Sequence, residues 1–121
     1  MEKILHYMFF CHRLQERSFH YKGKPFPICA RCTGILIGYI IGILSLIVMD
    51  YNILITTMVG PLLIIPLAID GLGQLYNYWV SNNNRRCLTG ILAGVGAIYL
   101  FRLCAYMGET HAKLVLEWLG K

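Results

Sequence analysis

Three apolar runs, at residues 30–49, 53–72 and 88–107, constrain this chain more than any other feature. Each is close to the roughly 20 residues a helix needs to cross about 30 Å of hydrocarbon. A chain of 121 residues would ordinarily form one soluble domain, but 57% hydrophobic against 14% charged residues is more apolar sequence than such a core can absorb. Lipid is therefore the expected solvent. Backbone polar groups in lipid must be satisfied within a helix or a closed barrel, and runs without period-2 alternation cannot make a barrel. The expected fold is an all-α integral membrane protein with about three transmembrane helices. An N-terminal Cys/His/Arg interfacial segment (1–29) precedes them and an interfacial tail (108–121) follows.

A secretory signal is the rival reading of the N-terminus, and it fails on detail. The apolar stretch 4–10 is short, Glu2 sits beside Lys3, and Cys11-His12-Arg13 follows in place of a small-residue cleavage site. Tyr7, Phe9 and Phe10 suit the headgroup level instead.

Lys and Arg near span ends are retained in the cytoplasm during insertion. Lys3, Arg13, Arg17, Lys22 and Lys24 precede the first run and Arg31 stands at its start, and Arg85 and Arg86 precede the third, whereas the 50–52 connection has none. The N-terminus and the 73–87 loop are accordingly expected in the cytoplasm, with the C-terminus outside. The net charge of +5 flanks apolar spans, so membrane lipids and not nucleic acid are the expected partners. This orientation puts Cys11, Cys29, Cys32 and Cys87 on the reducing side, where a stable disulfide is not expected.

The densest chemical signal is Cys11-His12-Arg13, Arg17-Ser18-Phe19, and Pro27-Ile28-Cys29-Ala30-Arg31-Cys32-Thr33-Gly34. A C-x-x-C pair lets two thiolates converge on one ion, and zinc takes four Cys or His ligands in a tetrahedron. Cys11 and His12 would complete the set with Cys29 and Cys32, and His20 or His6 could replace one of them. Two other readings stay open: a redox pair, because Arg31 and a helix N-terminus lower thiol pKa values, and thiols without chemistry. The zinc deaminase signature is not met, since Ile28 separates Pro27 from Cys29 and no H-x-E precedes them.

The run C-H-x-x-x-x-R-S-F at 11–19, joined to P-x-C-A-R-C-T-G at 27–34, resembles the small prokaryotic membrane proteins of domain of unknown function family 2085. Asp70-Gly71 with Gln74, and Asn84-Arg85 with Thr89-Gly90, extend the likeness over most of the chain up to the third run. The resemblance implies a membrane location and brings no settled activity. It also implies that Cys11, His12, Arg13, Arg17, Cys29, Arg31, Cys32, Asp70, Gln74 and Arg85 form one constellation.

Topology permits that grouping, because the second span returns Asp70 and Gln74 to the level of Cys32, and Arg85 and Arg86 enter the third span there. An acid at that depth needs a partner, and Arg31, Arg85 and Arg86 are the candidates. The bland alternative is that Asp70 only marks a helix end in water. Arg13, Arg17, Arg31, Arg85, Arg86 and Gln74 form the expected anion-binding set. If a metal were catalytic, Asp70 and Glu16 would be the proton-transfer candidates.

Arg102, about 7.5 Å from the other end of its span, is expected to snorkel or to pair with Asp50. Gly34, Gly38 and Gly42, with Gly90 and Gly94, put small residues on single helix faces for close packing within the chain or between copies, and a homo-oligomer is expected. Pro61 and Pro66 are expected to kink the second span. Glu109 and His111 in the tail read as solvated. Three function classes follow: a membrane metalloprotein with a zinc site beside an anion-binding layer, a thiol-disulfide or quinone-linked oxidoreductase using Cys29 and Cys32, and a small transporter subunit.

Overall fold

The computed structural model describes residues 18–120. It contains a β-hairpin, β1 (Ser18–Tyr21) and β2 (Lys24–Cys29), followed by three helices: α1 (Ala30–Val48), α2 (Ile53–Leu75) and α3 (Asn83–Leu119). All three helices are long and apolar enough to cross a membrane, so this is a membrane protein with three spans among the described residues. At 1.5 Å per residue they measure about 28, 34 and 55 Å.

The arrangement is inverted relative to a soluble domain. Only 17% of the most apolar window of α1, 17% of that of α2 and 33% of that of α3 is buried, which marks α3 as the central helix. Ile, Leu, Val and Met side chains point outward, while Ser18, Thr56, Asp70, Ser81, Arg86 and Thr89 are buried. Lipid solvates the first set, and the second has to find partners inside the protein.

α3 packs along both α1 and α2, which hardly touch one another. The glycine stripes account for the α1–α3 contact. A Cβ at Gly34 or Gly38 would run into the backbone carbonyl of Cys87 or Ile91, and one at Gly90 or Gly94 into that of Arg31 or Ile35. The two stripes therefore face each other within one chain, and α1 and α3 run parallel. Gly60 of α2 meets Gly96 of α3 in the same manner. Helix association in lipid relies on such backbone approach, because apolar side chains gain nothing by leaving hydrocarbon.

The hairpin lies within the expected interfacial segment and adds a two-stranded ribbon to the all-α expectation. Lys22 and Gly23 both adopt positive φ, 51° and 78°, which a two-residue turn of matching twist requires. Pairing joins Ser18 to Cys29 and Tyr21 to Lys24, with an irregularity between Ser18 and His20. Pro25 and Pro27 lack a donor but are tolerated in a ribbon whose outer edges are unpaired.

Two further departures concern helix lengths. α2 continues three residues past Leu72 and is unbroken through Pro61 and Pro66. α3 begins before the apolar run and continues through the tail as one helix. All residues from 104 to 120 are exposed, and a Lys113–Glu109 ion pair of 2.8 Å lies on that stretch.

Candidate functional site

Parallel α1 and α3 start at the same end of the bundle, and antiparallel α2 finishes there. One buried carboxylate ties the three together. Asp70, one turn before the end of α2, is 1% exposed. Its Oδ2 accepts a hydrogen bond from Arg31 Nη2 of α1 at 3.0 Å and another from Gln74 Nε2, one turn further along α2, at 2.7 Å. Its Oδ1 faces Arg85 Nε of α3 at 3.2 Å. Gln74 Oε1 in turn accepts from Arg86 Nη2 at 3.2 Å. Only one orientation of the Gln74 amide serves both neighbours, its NH2 toward the carboxylate and its oxygen toward the guanidinium.

Of the three arginines expected near Asp70, two contact it directly and the third reaches it through Gln74. A buried ion is tolerated only where its remaining lone pairs and protons also find partners, and this network supplies most of them. Arg31 Nε and Asp70 Oδ1 are both buried without a hydrogen bond, so the Arg85 contact is an ion pair only and the network leaves part of each partner unmet.

Arg85 has a second support. Its guanidinium carbon lies 5.3 Å from the centroid of the Trp79 ring, within cation–π range. The indole is seated on Gly73, where any Cβ would collide with the ring. The turn that carries Trp79 there is held by Tyr76 N–H to the Leu72 carbonyl (3.0 Å) and Tyr78 N–H to the Gly73 carbonyl (2.9 Å), with Asn77 at φ 57°. The sequence reading missed Gly73 and Trp79. The available signal was a tryptophan next to a glycine-bearing helix end and a few residues before two arginines.

The cysteine pair lies beside this layer. Cys29 is the last residue of β2 and the N-cap of α1, Cys32 is in the first turn, and their Sγ atoms are 3.3 Å apart. Arg31 stands between them in sequence and carries the contact to Asp70. The hairpin is pinned to the same end by Asn83 Nδ2, which donates to the Ser18 carbonyl at 3.3 Å. Cys11, His12, Arg13, Glu16 and Arg17 lie outside the described residues. Among the described residues no group of three or more His, Cys, Asp or Glu side chains converges.

Arg102 stands apart, 16 residues from Arg86 and so about 24 Å along α3. It makes no ion pair with Asp50, and its Nη1 is buried without a hydrogen bond. One turn earlier the Tyr99 hydroxyl meets the Ser45 hydroxyl at 3.1 Å.

Fold and site together define a small three-span membrane protein with an Arg/Asp layer and a cysteine pair at one end of its helices. Residues 11–100 match the family described as predicted membrane protein, domain of unknown function 2085, and the chain belongs to that family. It is 39% identical over 105 residues to an uncharacterized protein of Methanothermobacter thermautotrophicus, covering 85% of this chain and 94% of that one. It is 31% identical over 99 residues to one of Methanocaldococcus jannaschii, covering 77% of this chain and 62% of the relative. No solved structure matches.

Proposed function

We propose that this protein is a membrane metalloprotein: Cys29 and Cys32, completed by Cys11 and His12, hold a zinc ion at the cytoplasmic interface, beside an Arg/Asp layer that binds an anionic group. The observation that carries the reading is the 3.3 Å separation of the two Sγ atoms next to the Arg31–Asp70 contact. Two thiolates in a tetrahedral zinc shell, each about 2.3 Å from the ion, lie about 3.8 Å apart. A disulfide requires about 2.05 Å. The pair is nearer the chelating distance, and zinc suits a mixed thiolate and imidazole shell.

With four protein ligands the ion is structural, and it would fix the hairpin–α1 junction and with it the direction of Arg31. An open position would give it Lewis-acid chemistry, with Asp70 and Glu16 as the candidate proton-transfer residues.

Elemental analysis and thiol counting on reduced, detergent-purified protein test the reading. One zinc per chain is expected, reduced to a small fraction of that in Cys29→Ser. Protein that carries no metal but forms a reversible Cys29–Cys32 disulfide would replace this reading with a thiol-disulfide oxidoreductase.

A further inference from the structure

Two guanidiniums converge on one carboxylate at this end of the bundle, and the charge there does not balance. Arg31 and Arg85 both contact Asp70 and Arg86 reaches it through Gln74, which leaves two positive charges over. The helix ends add to it. α1 and α3 both begin here, neither has an acidic residue in its first turn, and neither N-cap side chain makes a capping hydrogen bond. Each helix N-terminus is equivalent to roughly +0.5 charge and the C-terminus of α2 to roughly −0.5. The local excess is then about +2.5.

The donors are also accessible. The Arg85 side chain is 52% exposed and the Arg31 side chain 30% exposed, whereas Asp70 is closed off beneath them at 1%. Arg85 faces the carboxylate with Nε, and Trp79 lies against its guanidinium. Asp70 thus holds two forked donors side by side without blocking them, an arrangement suited to a group with several equivalent oxygens.

From this we infer that the layer binds a phosphomonoester dianion, on a lipid headgroup or as free phosphate. A phosphodiester carries one negative charge, whereas a phosphomonoester carries about −1.5 to −2 near neutral pH and offers three acceptor oxygens. The dianion comes nearer to balancing the excess than the monoanion does. Trp79, against Arg85, and the neighbouring exposed Tyr76 and Tyr78 are the kind of side chain that settles at headgroup level, which favours the lipid-borne form. The inference rests on the anion-binding half of the proposed function and names its ligand.

The test uses full-length, detergent-purified protein and native mass spectrometry or thermal shift at pH 8. Phosphatidic acid, phosphatidylglycerol of the same chains and inorganic phosphate are compared. Phosphatidic acid is expected to bind at least tenfold more tightly than phosphatidylglycerol. That preference should shrink below about pH 6, where the monoester takes up its second proton. Arg85→Lys, which keeps the charge but loses the fork, should lose most of the preference, and the wild-type comparison stands if that variant folds poorly. Inorganic phosphate competing at concentrations close to those of the lipid would support the phosphomonoester and assign it to free phosphate. Equal affinity for the two lipids, or binding of neither lipid nor phosphate, overturns the inference. Zinc is measured in the same preparation: zinc-free protein that prefers the monoester removes only the metal reading, and zinc-bound protein indifferent to the monoester removes only this one.

Discussion

The indole of Trp79 occupies the space that a side chain at position 73 would need, so Gly73 acts as the seat of a ring that also supports Arg85. Gly73→Ala should displace the indole and lower stability by about 1–3 kcal/mol, the usual cost of overpacking. Gly71→Ala is the matched control, because nothing lies within 4 Å of its added methyl. In a Trp118→Phe background the Trp79 emission should shift in the first variant and stay unchanged in the second. An unmoved emission in Gly73→Ala would remove the seat.

The contact between α1 and α3 makes an equally specific prediction. Gly38→Ala drives a methyl into the Ile91 carbonyl and should cost roughly 1–3 kcal/mol or more, since backbone cannot yield as a side chain can. Gly108→Ala, in the open part of α3, should instead stabilise by about 0.5–1 kcal/mol by removing a helix glycine. Unfolding titrations in mixed micelles measure both. Equal effects would mean that the stripe does not hold these helices together.

The spans were legible because lipid imposes one rule on every residue of the three apolar runs, and run length reports it directly. The grouping of Arg31, Asp70, Gln74 and Arg85 came from the family resemblance, and counting crossings showed only that the topology permits it. The hairpin was not legible: its turn is Lys22-Gly23 in place of the common Asn-Gly, and Pro25 and Pro27 read as strand breakers although a two-stranded ribbon tolerates them. The glycine stripes were visible as packing faces, but spacing alone does not say which helix a face meets. Arg102 was expected to reach headgroups or Asp50, and one of its nitrogens is instead buried without a hydrogen bond.

Asp70 organises the layer as a counter-ion, and its removal should show this. Asp70→Ala leaves Arg31 and Arg85 without their counter-ion and should cost about 1–3 kcal/mol, less than the loss of one member of a fully buried pair, because the two guanidiniums are 30% and 52% exposed and can take up other partners. Arg31→Gln on its own should also destabilise, but Arg31→Gln combined with Asp70→Asn should cost less than the two singles together. A coupling of about 0.5–3 kcal/mol between the two positions, measured in a double-mutant cycle, is the expected sign of direct contact. Strict additivity would mean that each side chain is satisfied independently.

The proposed cytoplasmic placement of the layer is testable through the native thiols. Cys29, Cys32 and Cys87 all lie toward the Asp70 end, and Cys104 is exposed toward the opposite end of α3. In a Cys104→Ala background, a membrane-impermeant maleimide applied to intact cells should leave the protein unlabelled, and labelling should appear after lysis and denaturation. Adding Gly120→Cys should restore labelling in intact cells, because α3 carries that position to the other side. The positive-inside rule requires this outcome, since Arg31, Arg85 and Arg86 flank the spans at one end and the 50–52 connection carries no cation. Labelling of the Cys104→Ala protein in intact cells would reverse the orientation. It would also put Cys29 and Cys32 in an oxidising compartment, where a disulfide is favoured over a reduced zinc site.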